Sequence, residues 1–417
     1  MVLEVGIVYF LYILLKVYIS VMQIGYLSKA KHLPAVILDK KRYKDAADYK
    51  IATERMGILS SLVDYAMFIF WVGFALRWLD SMIDIDNTLL KSVIYIDLFI
   101  IINYIVSLPF ELYSTFYLDK KFGFSNMTPK MFFSDLLKSA LLFLIFGSLV
   151  IFVISYIIST FTLWWVWSFI FVFVIIVVIN LIYPTFIAPL FNKFIPLEDE
   201  ELKDSIQNLM QRAGLKSSGI FTMDASKRDN RLNAYFGGLG SSKRVVLFDT
   251  LIKKLSKSEL LAVLGHELGH FKHKDIIKNI FMMGGLLFLM FFIFGNLPKE
   301  LFYSFGLDKT PYTIMAFFLL LSPVVAFVFM PIMGLLSRHN EYAADEYASE
   351  CESSEVLANA LEKLANENKS FPRSHPLYIF FYFTHPPLIE RLKRLGKKYQ
   401  EDSSALKESC KADNEQN

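Results

Sequence analysis

The sequence predicts a polytopic membrane protein that is mainly α-helical and carries a smaller α+β segment on one side of the bilayer. Composition is the first reason: 54% of the 417 residues are hydrophobic, 40 are phenylalanine, and the mean hydropathy is +0.42. Soluble domains are far less apolar. The second reason is the presence of seven stretches with enough apolar residues to cross a bilayer, which takes about 20.

The seven predicted spans divide into five before the main polar segment and two after it. Their limits are residues 5–27, 59–79, 93–110, 136–158, 162–183, 276–294 and 312–336. The first stretch lacks a basic leader and a small-residue cleavage site, so we expect a retained membrane helix and not a removed signal peptide. Lys16 and Asp64 lie inside spans, where two interpretations stay open: side chains turned toward a polar interior, or side chains snorkelling toward the surface.

The charges of the loops predict the orientation. The segment between the first two spans is basic, whereas the next loop is acidic, and the positive-inside rule places the basic segment in the cytoplasm. Alternation then places the polar segment at about residues 186–275, and everything after residue 336, on the cytoplasmic side. The basic residues of the first loop are Lys29, Lys31, Lys40, Lys41, Arg42, Lys44, Lys50 and Arg55.

Charge and cysteine content exclude several classes of protein. The formal net charge is +3 and no basic cluster is interleaved with aromatic residues, so we expect no nucleic-acid partner. Cys351 and Cys410 are too few for a disulfide scaffold, and neither has a metal-binding spacing. We therefore expect free thiols on the reducing side of the membrane.

The motif that organises the chain is His266-Glu267-Leu268-Gly269-His270. On an α-helix, residues four apart share a face, so both imidazoles reach one metal ion, and Glu267 lies beside it as a base for an attacking water. Ser256 followed by Glu259 forms a capping box that predicts the start of this helix. The pattern is typical of zinc hydrolases.

Catalytic zinc sites take three protein ligands and leave one position for water. Glu341 is the best third candidate, because the two spans after His270 return the chain to the same membrane face. Asp345, one turn further along, is placed to accept a hydrogen bond from a ligand imidazole. His339 stays open as an alternative ligand, whereas His273 lies a turn beyond the histidine pair and misses the metal.

The polar segment predicts one further helix and two short strands. Pro196 and the acidic residues after it predict a helix with the proline in its first turn, ended by Gly214. Strands are expected at residues 220–223 and 244–248, with the run NAYFGGLG between them. Two roles for the sheet stay open: one edge pairs with an extended peptide, or the sheet only buttresses the metal helix.

Along most of its length the chain resembles the type I CAAX prenyl proteases, which are seven-span membrane zinc endopeptidases. The resemblance is carried, in order, by PFELYSTFYLDKKFGFSNMT, YPTFIAPLFNKF, NAYFGG, RVVLFDTLI, HELGH, NEYAAD and HPPLIERL. One departure is Leu232, where the family often has serine before Asn-Ala-Tyr-Phe. The resemblance implies zinc ligands His266, His270 and Glu341, the base Glu267, Asp345 behind a ligand, Asn233 and Ala234 on a substrate-pairing edge strand, and His385 and Arg391 at the substrate or the oxyanion.

The resemblance also implies the architecture. Seven helices would surround a water-filled chamber, with an α+β, gluzincin-like peptidase domain and one Zn²⁺ ion per chain at its cytoplasmic end. The predicted parts are a five-span membrane region (1–190), a soluble segment with a small sheet and the metal helix (191–275), a transmembrane hairpin (276–336), a C-terminal peptidase segment (337–399) and a polar tail (400–417).

We therefore predict a membrane zinc metalloendopeptidase that cleaves near the C-terminus of CaaX-type proteins or peptides, prenylated or not. The expected partners are the bilayer and a peptide; the oligomeric state is left open, and the bacterial inner membrane and the endoplasmic reticulum both fit as locations. Two alternatives stay open: a quality-control zinc protease without a prenyl requirement, and a zinc-bearing transporter or scaffold without catalysis. The open metal position and Glu267 argue against the last.

Overall fold

Five long helices form the first part of the chain. The computed structural model describes residues 1–215, 218–237 and 244–399, so the predicted tail with Cys410 and the last three residues of the NAYFGGLG run lie outside the described residues. The helices are α1 (Val2–Ala30), α2 (Lys40–Met82), α3 (Thr88–Lys121), α4 (Pro129–Thr160) and α5 (Trp164–Leu190). All five are long and apolar enough to cross a membrane.

Several of these helices extend beyond the limits that hydropathy predicts. Asp39 accepts hydrogen bonds from the backbone N–H groups of Lys41 and Arg42, and this cap starts α2 well before its apolar part. Helix α3 continues through Pro109, which membrane helices tolerate, and then forms a π-helical turn over Ser114–Leu118. The apolar run therefore locates each span, whereas polar capping decides where its helix ends.

The polar segment contains short strands and three helices. In chain order these are β1 (Phe194–Pro196), α6 (Glu200–Arg212), β2 (Ile220–Met223), β3 (Ala234–Gly237), β4 (Arg244–Phe248), α7 (Asp249–Ile252) and α8 (Lys257–Lys272), with a 3₁₀ turn at Ala225–Lys227. The strands expected at 220–223 and 244–248 are confirmed. The capping box is confirmed too, because Ser256 and Glu259 bond each other's backbone N–H groups.

The prediction that Pro196 lies in the first turn of a helix is wrong. Pro196 ends β1, an outer strand of the sheet, where a proline is tolerated. Helix α6 begins after it, where Asp199 accepts a hydrogen bond from the N–H of Leu202. Its first turn carries the acids alone. The pattern misled because a proline followed by acidic residues is typical of a helix start.

The remainder of the chain passes through the membrane region twice more. It contains α9 (Asp275–Gly295), α10 (Lys299–Ser304), α11 (Pro311–Cys351), α12 (Ser354–Glu367), α13 (Pro376–Tyr382) and α14 (Leu388–Arg394). Helices α9 and α11 complete seven candidate spans, so the predicted number is confirmed. Helix α11 runs for 41 residues without a break and includes residue 336, where one domain limit is predicted. All of the domain limits stay predictions.

The small sheet packs against α8 and still presents an edge. Its strand order is β1-β2-β4-β3, with β2 parallel to β4 and the outer strands antiparallel to their neighbours. Val245 and Leu247 of β4 share a buried core with Leu264 and Leu268 of α8, so the sheet buttresses the helix of the HELGH motif. Among the described residues β3 pairs with β4 alone. The buttress and the open edge therefore coexist.

Small residues let α8 approach α11 closely. Gly265 and Gly269 lie one turn apart on α8 and face Ala348 and Ala344 of α11. A Cβ atom added to Gly269 would lie 2.8 Å from the Cα atom of Ala344 and 3.1 Å from its carbonyl oxygen. The two backbones are thus in contact, and this contact sets the distance between the motif on α8 and Glu341 on α11.

Two charged residues within the spans pair with each other. Lys16 of α1 and Asp64 of α2 lie 3.9 Å apart, measured from Nζ to Oδ2. The Lys16 ammonium also lies 5.3 Å from the ring centre of Tyr12. Charges inside a bilayer are costly unless they find partners within the protein. The pairing favours side chains turned toward the protein over snorkelling.

We expect Gly269→Ala to separate α8 from α11. The new methyl group has no room against the Ala344 backbone, and overpacking of this kind costs about 1–3 kcal/mol of unfolding free energy. Thermal unfolding of the detergent-solubilised protein would show a lower midpoint. The matched control is Gly285→Ala on α9, where nothing lies within 4 Å of an added Cβ atom. Equal midpoints for the two variants would contradict the contact.

Candidate metal centre

Helices α8 and α11 bring three candidate ligands together. His266 and His270 lie one turn apart on α8, with ring centres 4.9 Å apart and ring planes nearly perpendicular. Their Nε2 atoms lie 3.5 and 3.3 Å from the carboxylate oxygens of Glu341. One ligand atom from each of the three residues lies within 4.8 Å of the other two, and within the described chain these residues form a group that could hold a metal ion.

A carboxylate orients each imidazole from behind. The Nδ1 atom of His266 lies 2.9 Å from Oδ1 of Asp345, and the Nδ1 atom of His270 lies 2.9 Å from Oδ2 of Asp275. A carboxylate accepts from an N–H group, so Nδ1 carries the proton and Nε2 keeps its lone pair for a metal. The prediction for Asp345 thus has a geometric counterpart on α11.

Asp275 is a residue that the sequence analysis missed. It begins α9, five residues after His270, and Lys274 just before it adopts a left-handed conformation with φ of 58°. That turn directs the Asp275 carboxylate back to the histidine. The signal in the sequence was a carboxylate at the start of the span that follows the motif. It has no fixed helical register with His270, because the chain turns between them.

The donor set fits a metal ion. Ligands about 2.0–2.1 Å from a tetrahedral zinc ion lie about 3.3–3.4 Å from one another, and the histidine-to-Glu341 distances of 3.5 and 3.3 Å match this spacing. The Oε2 atom of Glu341 is buried and makes no hydrogen bond to the described residues. Such an oxygen requires a partner, and two histidines with one glutamate are a common catalytic zinc set.

The electrostatics of α8 also favour a cation. Burial lowers the pKa of His270, but hydrogen bonds to Glu341 and Asp275 outweigh burial and raise this pKa to about 9. The carboxylates therefore stabilise positive charge between the rings, whether a proton or a metal ion supplies it. Burial raises the pKa of Glu267 above its ordinary value. A raised pKa suits a carboxylate that must accept a proton and then release it.

The ligands open onto a cavity of about 310 Å³. Glu267 and His270 form one wall, and His385 and Phe236 contribute to others. The Nε2 atom of His385 lies 3.3 Å from Oε1 of Glu341, and 62% of its side chain is exposed. An imidazole with this access can reach a molecule bound beside Glu267.

Arg391 lies behind the ligands and not in the cavity wall. Its guanidinium forks onto Asp345, with Nε–Oδ2 and Nη2–Oδ1 distances of 2.8 and 2.6 Å, and the residue is buried. Its Nη1 atom lies 3.5 Å from Glu341. The resemblance implied a role at the substrate or the oxyanion. The geometry instead favours a positioning role, because the fork fixes the carboxylate that orients His266.

The competing histidines lie elsewhere. His339 is exposed and lines a different cavity, beside Arg338 and Tyr342. His273 is the residue that ends α8. Neither belongs to the group formed by the two motif histidines and Glu341. The geometry therefore favours Glu341 over His339 as the third ligand.

Asn233 and Ala234 lie where β3 begins. The amide oxygen of Asn233 accepts a hydrogen bond from the N–H of Ala234 at 2.9 Å, and its backbone carbonyl accepts from Phe248 on β4 at 3.1 Å. Two residues further along, Phe236 reaches the wall of the metal-site cavity. The open edge of β3 thus runs past the candidate metal centre.

The segment before β3 is held by a side chain from α12's end. Asn368 accepts a hydrogen bond from the N–H of Leu232 at 2.7 Å and donates one to its carbonyl at 3.0 Å. These two hydrogen bonds use the same backbone groups of Leu232 that a neighbouring strand would use. The departure at Leu232 therefore leaves the edge strand anchored, because the anchor uses the backbone of Leu232 and not its side chain.

Two family descriptions cover most of the chain. The description "CAAX prenyl protease N-terminal, five membrane helices" matches residues 23–193, and "Peptidase family M48" matches residues 196–398. The chain belongs to peptidase family M48. A family-M48 chain with seven candidate spans is a multi-pass membrane metallopeptidase, and its substrates are peptides or proteins. The role of each site residue stays a prediction.

Relatives of this M48 chain extend along nearly all of it. The CAAX prenyl protease 1 homolog of Dictyostelium discoideum is 35% identical and covers 85% of both chains. CAAX prenyl protease 1 of Saccharomyces cerevisiae is 32% identical and covers 91% of both. The crystal structure of S. mikatae Ste24p matches with a TM-score of 0.87 at 32% identity, over 95% of this chain and 99% of that chain. The resemblance drawn from the motifs is confirmed.

We expect Asp275→Asn to weaken metal binding. Loss of the carboxylate behind a histidine ligand typically reduces affinity about 10- to 100-fold. Competition between the purified protein and a chromophoric chelator for zinc would measure the change. The control is Lys278→Met, which removes a half-exposed partner of Asp275 on the side away from His270 and should leave affinity near wild type. Equal affinities for both variants and wild type would contradict the role of Asp275.

We expect Asn368→Leu to raise KM for a peptide about tenfold, because two hydrogen bonds of about 0.5–1.5 kcal/mol each no longer hold the start of β3. The turnover number and the zinc content should stay near wild type, since the metal ligands lie on other elements. Asn359→Leu, on the same α12 but bonded to Lys397, is the control. A parallel loss of zinc in Asn368→Leu would indicate general damage instead.

Proposed function

We propose that this chain is a zinc metalloendopeptidase that cleaves near the C-terminus of CaaX-type proteins or peptides, including prenylated ones. The observation that carries the proposal is the arrangement of His266, His270 and Glu341 around one point, with Glu267 beside them on a cavity that the edge strand β3 borders. The relatives named CAAX prenyl protease 1 supply the substrate class, at 30% identity or more over most of the chain.

Zinc is the metal that this donor set favours. His266, His270 and Glu341 would hold it, one ion per chain, and Asp345 and Asp275 would orient the two imidazoles. When bound, the ion supplies Lewis acidity, which makes a water more acidic and polarises the scissile carbonyl. The remaining chemistry belongs to the side chains.

Glu267 is proposed to act as the base. Its carboxylate accepts a proton as a water oxygen attacks the scissile carbonyl carbon, and it then delivers that proton to the leaving amine nitrogen when the C–N bond breaks. The products are a carboxylic acid and an amine, so the reaction consumes one water and needs no covalent enzyme intermediate. His385, whose Nε2 atom lies 3.3 Å from Oε1 of Glu341, is proposed to donate a hydrogen bond to the developing oxyanion.

The open edge of β3 is proposed to hold the substrate backbone. An extended peptide adds to a sheet edge through its main-chain groups, which makes binding tolerant of side-chain sequence. Asn233 and Ala234 begin this edge, and Phe236 lies between it and the metal-site cavity. A peptide paired with β3 would therefore pass in front of Glu267.

The family comparisons do not favour the two alternatives drawn from the sequence. A quality-control protease without prenyl preference would use the same chemistry, but the similar proteins are named CAAX prenyl proteases. A transporter or scaffold would have no use for Glu267 in the cavity wall.

We also propose that the site faces the cytoplasm and opens on a chamber between the helices, in the endoplasmic reticulum or a bacterial inner membrane. The basic first loop supports the orientation.

We expect Glu267→Gln to keep zinc and lose turnover by about 10²–10⁴-fold, because glutamine keeps the shape but accepts no proton. Hydrolysis of a fluorogenic CaaX peptide by detergent-purified protein, with metal analysis after dialysis, would measure both. The matched control is Glu346→Gln, an exposed residue of α11 that lines another cavity. Wild-type activity that survives a chelator, or activity retained by Glu267→Gln, would refute the mechanism.

A further inference from the structure

A second cavity, of about 900 Å³, lies between the fifth and sixth candidate spans. Phe173 and Val177 of α5 form one side, Ile280 and Leu287 of α9 form the other, and Ala326 of α11 also contributes. None of the described lining residues carries a charge. The cavity is thus far larger and far more apolar than the one at the metal centre.

The two cavities are adjacent. Phe236, Ile276 and Asn279 line both of them. Tyr235 and Gly237 of β3 also face the apolar cavity, so the edge strand borders both spaces. A molecule seated on β3 beside Glu267 would therefore lie next to the apolar cavity.

The apolar cavity extends to membrane depth. Its wall on α9 runs from Ile276 to Met290, which at 1.5 Å per residue is about 21 Å along the helix. The hydrocarbon layer of a bilayer is about 30 Å thick. The polar groups in the wall are few, and the side-chain amide of Asn180 already donates to the carbonyl of Ile176 in its own helix at 2.8 Å. The cavity suits a long, unbranched or lightly branched hydrocarbon.

We propose that this cavity binds the isoprenoid chain of a prenylated substrate while the peptide pairs with β3. The inference rests on the proposed function, which supplies a cysteine thioether close to the scissile bond. A ligand with a peptide at one end and a hydrocarbon at the other matches two adjacent cavities, one polar and one apolar. A bilayer acyl chain has no peptide to place at the metal centre, and the wall that the two cavities share favours the prenylated peptide over it.

The isoprenoid is expected to increase the affinity for the peptide because the two are covalently linked. Lipid tails are as apolar as the cavity, so transfer from the bilayer alone contributes little. Once the chain is seated, however, the peptide is tethered beside Glu267, and linked binding of this kind increases affinity by about 10²–10⁴-fold. Filling the cavity should therefore remove the preference for prenylated peptides without touching the hydrolysis of unmodified ones.

The test compares kcat/KM for matched farnesylated and unmodified CaaX peptides. Val177→Trp and Ala326→Trp fill the cavity, and we expect each to reduce the preference for the farnesylated peptide at least about tenfold. Zinc content and cleavage of the unmodified peptide should stay near wild type. Val178→Trp is the matched control, because Val178 neighbours Val177 on α5 but is 45% exposed and does not line the cavity.

A second measurement is independent of turnover and of the folding of the tryptophan variants. A farnesylated peptide with a diazirine on the isoprenoid is photolysed on Glu267→Gln protein in phosphatidylcholine nanodiscs, and the labelled peptides are mapped. We expect labelling within residues 276–290 and competition by unlabelled farnesylated peptide. Labelling confined to other helices would overturn the proposal.

The outcomes separate the two levels of inference. If wild-type protein cuts neither peptide, the proposed function fails, and the isoprenoid site fails with it. If wild type cuts both equally, or if the preference survives both Val177→Trp and Ala326→Trp, the peptidase function stands and the isoprenoid site is refuted. Labelling of residues 276–290 by a diazirine phospholipid that farnesylated peptide does not displace would assign the cavity to bilayer lipid instead.

Discussion

The contact between α8 and α11 is the constraint on which the rest of the site depends. Gly265 and Gly269 present no side chains, so the α8 backbone lies directly against Ala344 and Ala348. This close contact brings the candidate ligands of the two helices together. The Nε2 atoms of His270 and His266 on α8 lie 3.3 and 3.5 Å from the carboxylate oxygens of Glu341 on α11. The HELGH glycine thus has a packing role, because only a residue without a Cβ atom fits there.

Basic side chains around the candidate ligands compensate the buried carboxylates of the site. Glu341, Asp345 and Asp275 are three buried carboxylates in one region, and unpaired buried charges are very costly. Arg391 compensates Asp345 through a two-pronged contact, and Lys278 compensates Asp275 at 2.8 Å. One oxygen of Glu341 has no hydrogen-bond partner among the described residues, and a divalent cation would satisfy it. Arg391 comes from α14, so this helix contributes to the metal centre although Arg391 does not line the cavity.

Local patterns predicted the spans, the strands β2 and β4 and the motif helix, because each depends on periodicity or capping within a few residues. The same rules failed where the answer depends on distant partners. Pro196 looks like a helix start but pairs as an outer strand, and α11 continues beyond its apolar run because packing on α8 stabilises its polar turns. Asn368 carries no local signal, and Asp275 carries only its place at the start of the span after the motif. Their roles arise from a left-handed turn at Lys274 and from an approach over 136 residues of sequence to Leu232.

The edge strand β3 lies between the peptidase core and the membrane helices, and it borders the cavities of both. On one side β3 is fixed by β4 and by Asn368, and through them by the same buried core that supports α8. On its other side it borders a polar cavity with Glu267 and an apolar cavity that descends along α9. A soluble peptidase needs only the first of these spaces. Hydrolysis requires polar groups, whereas the burial of a hydrocarbon excludes them, so the two tasks need separate cavities. Because the edge of β3 lies where α9 enters the membrane region, a single peptide on this edge would lie beside both cavities.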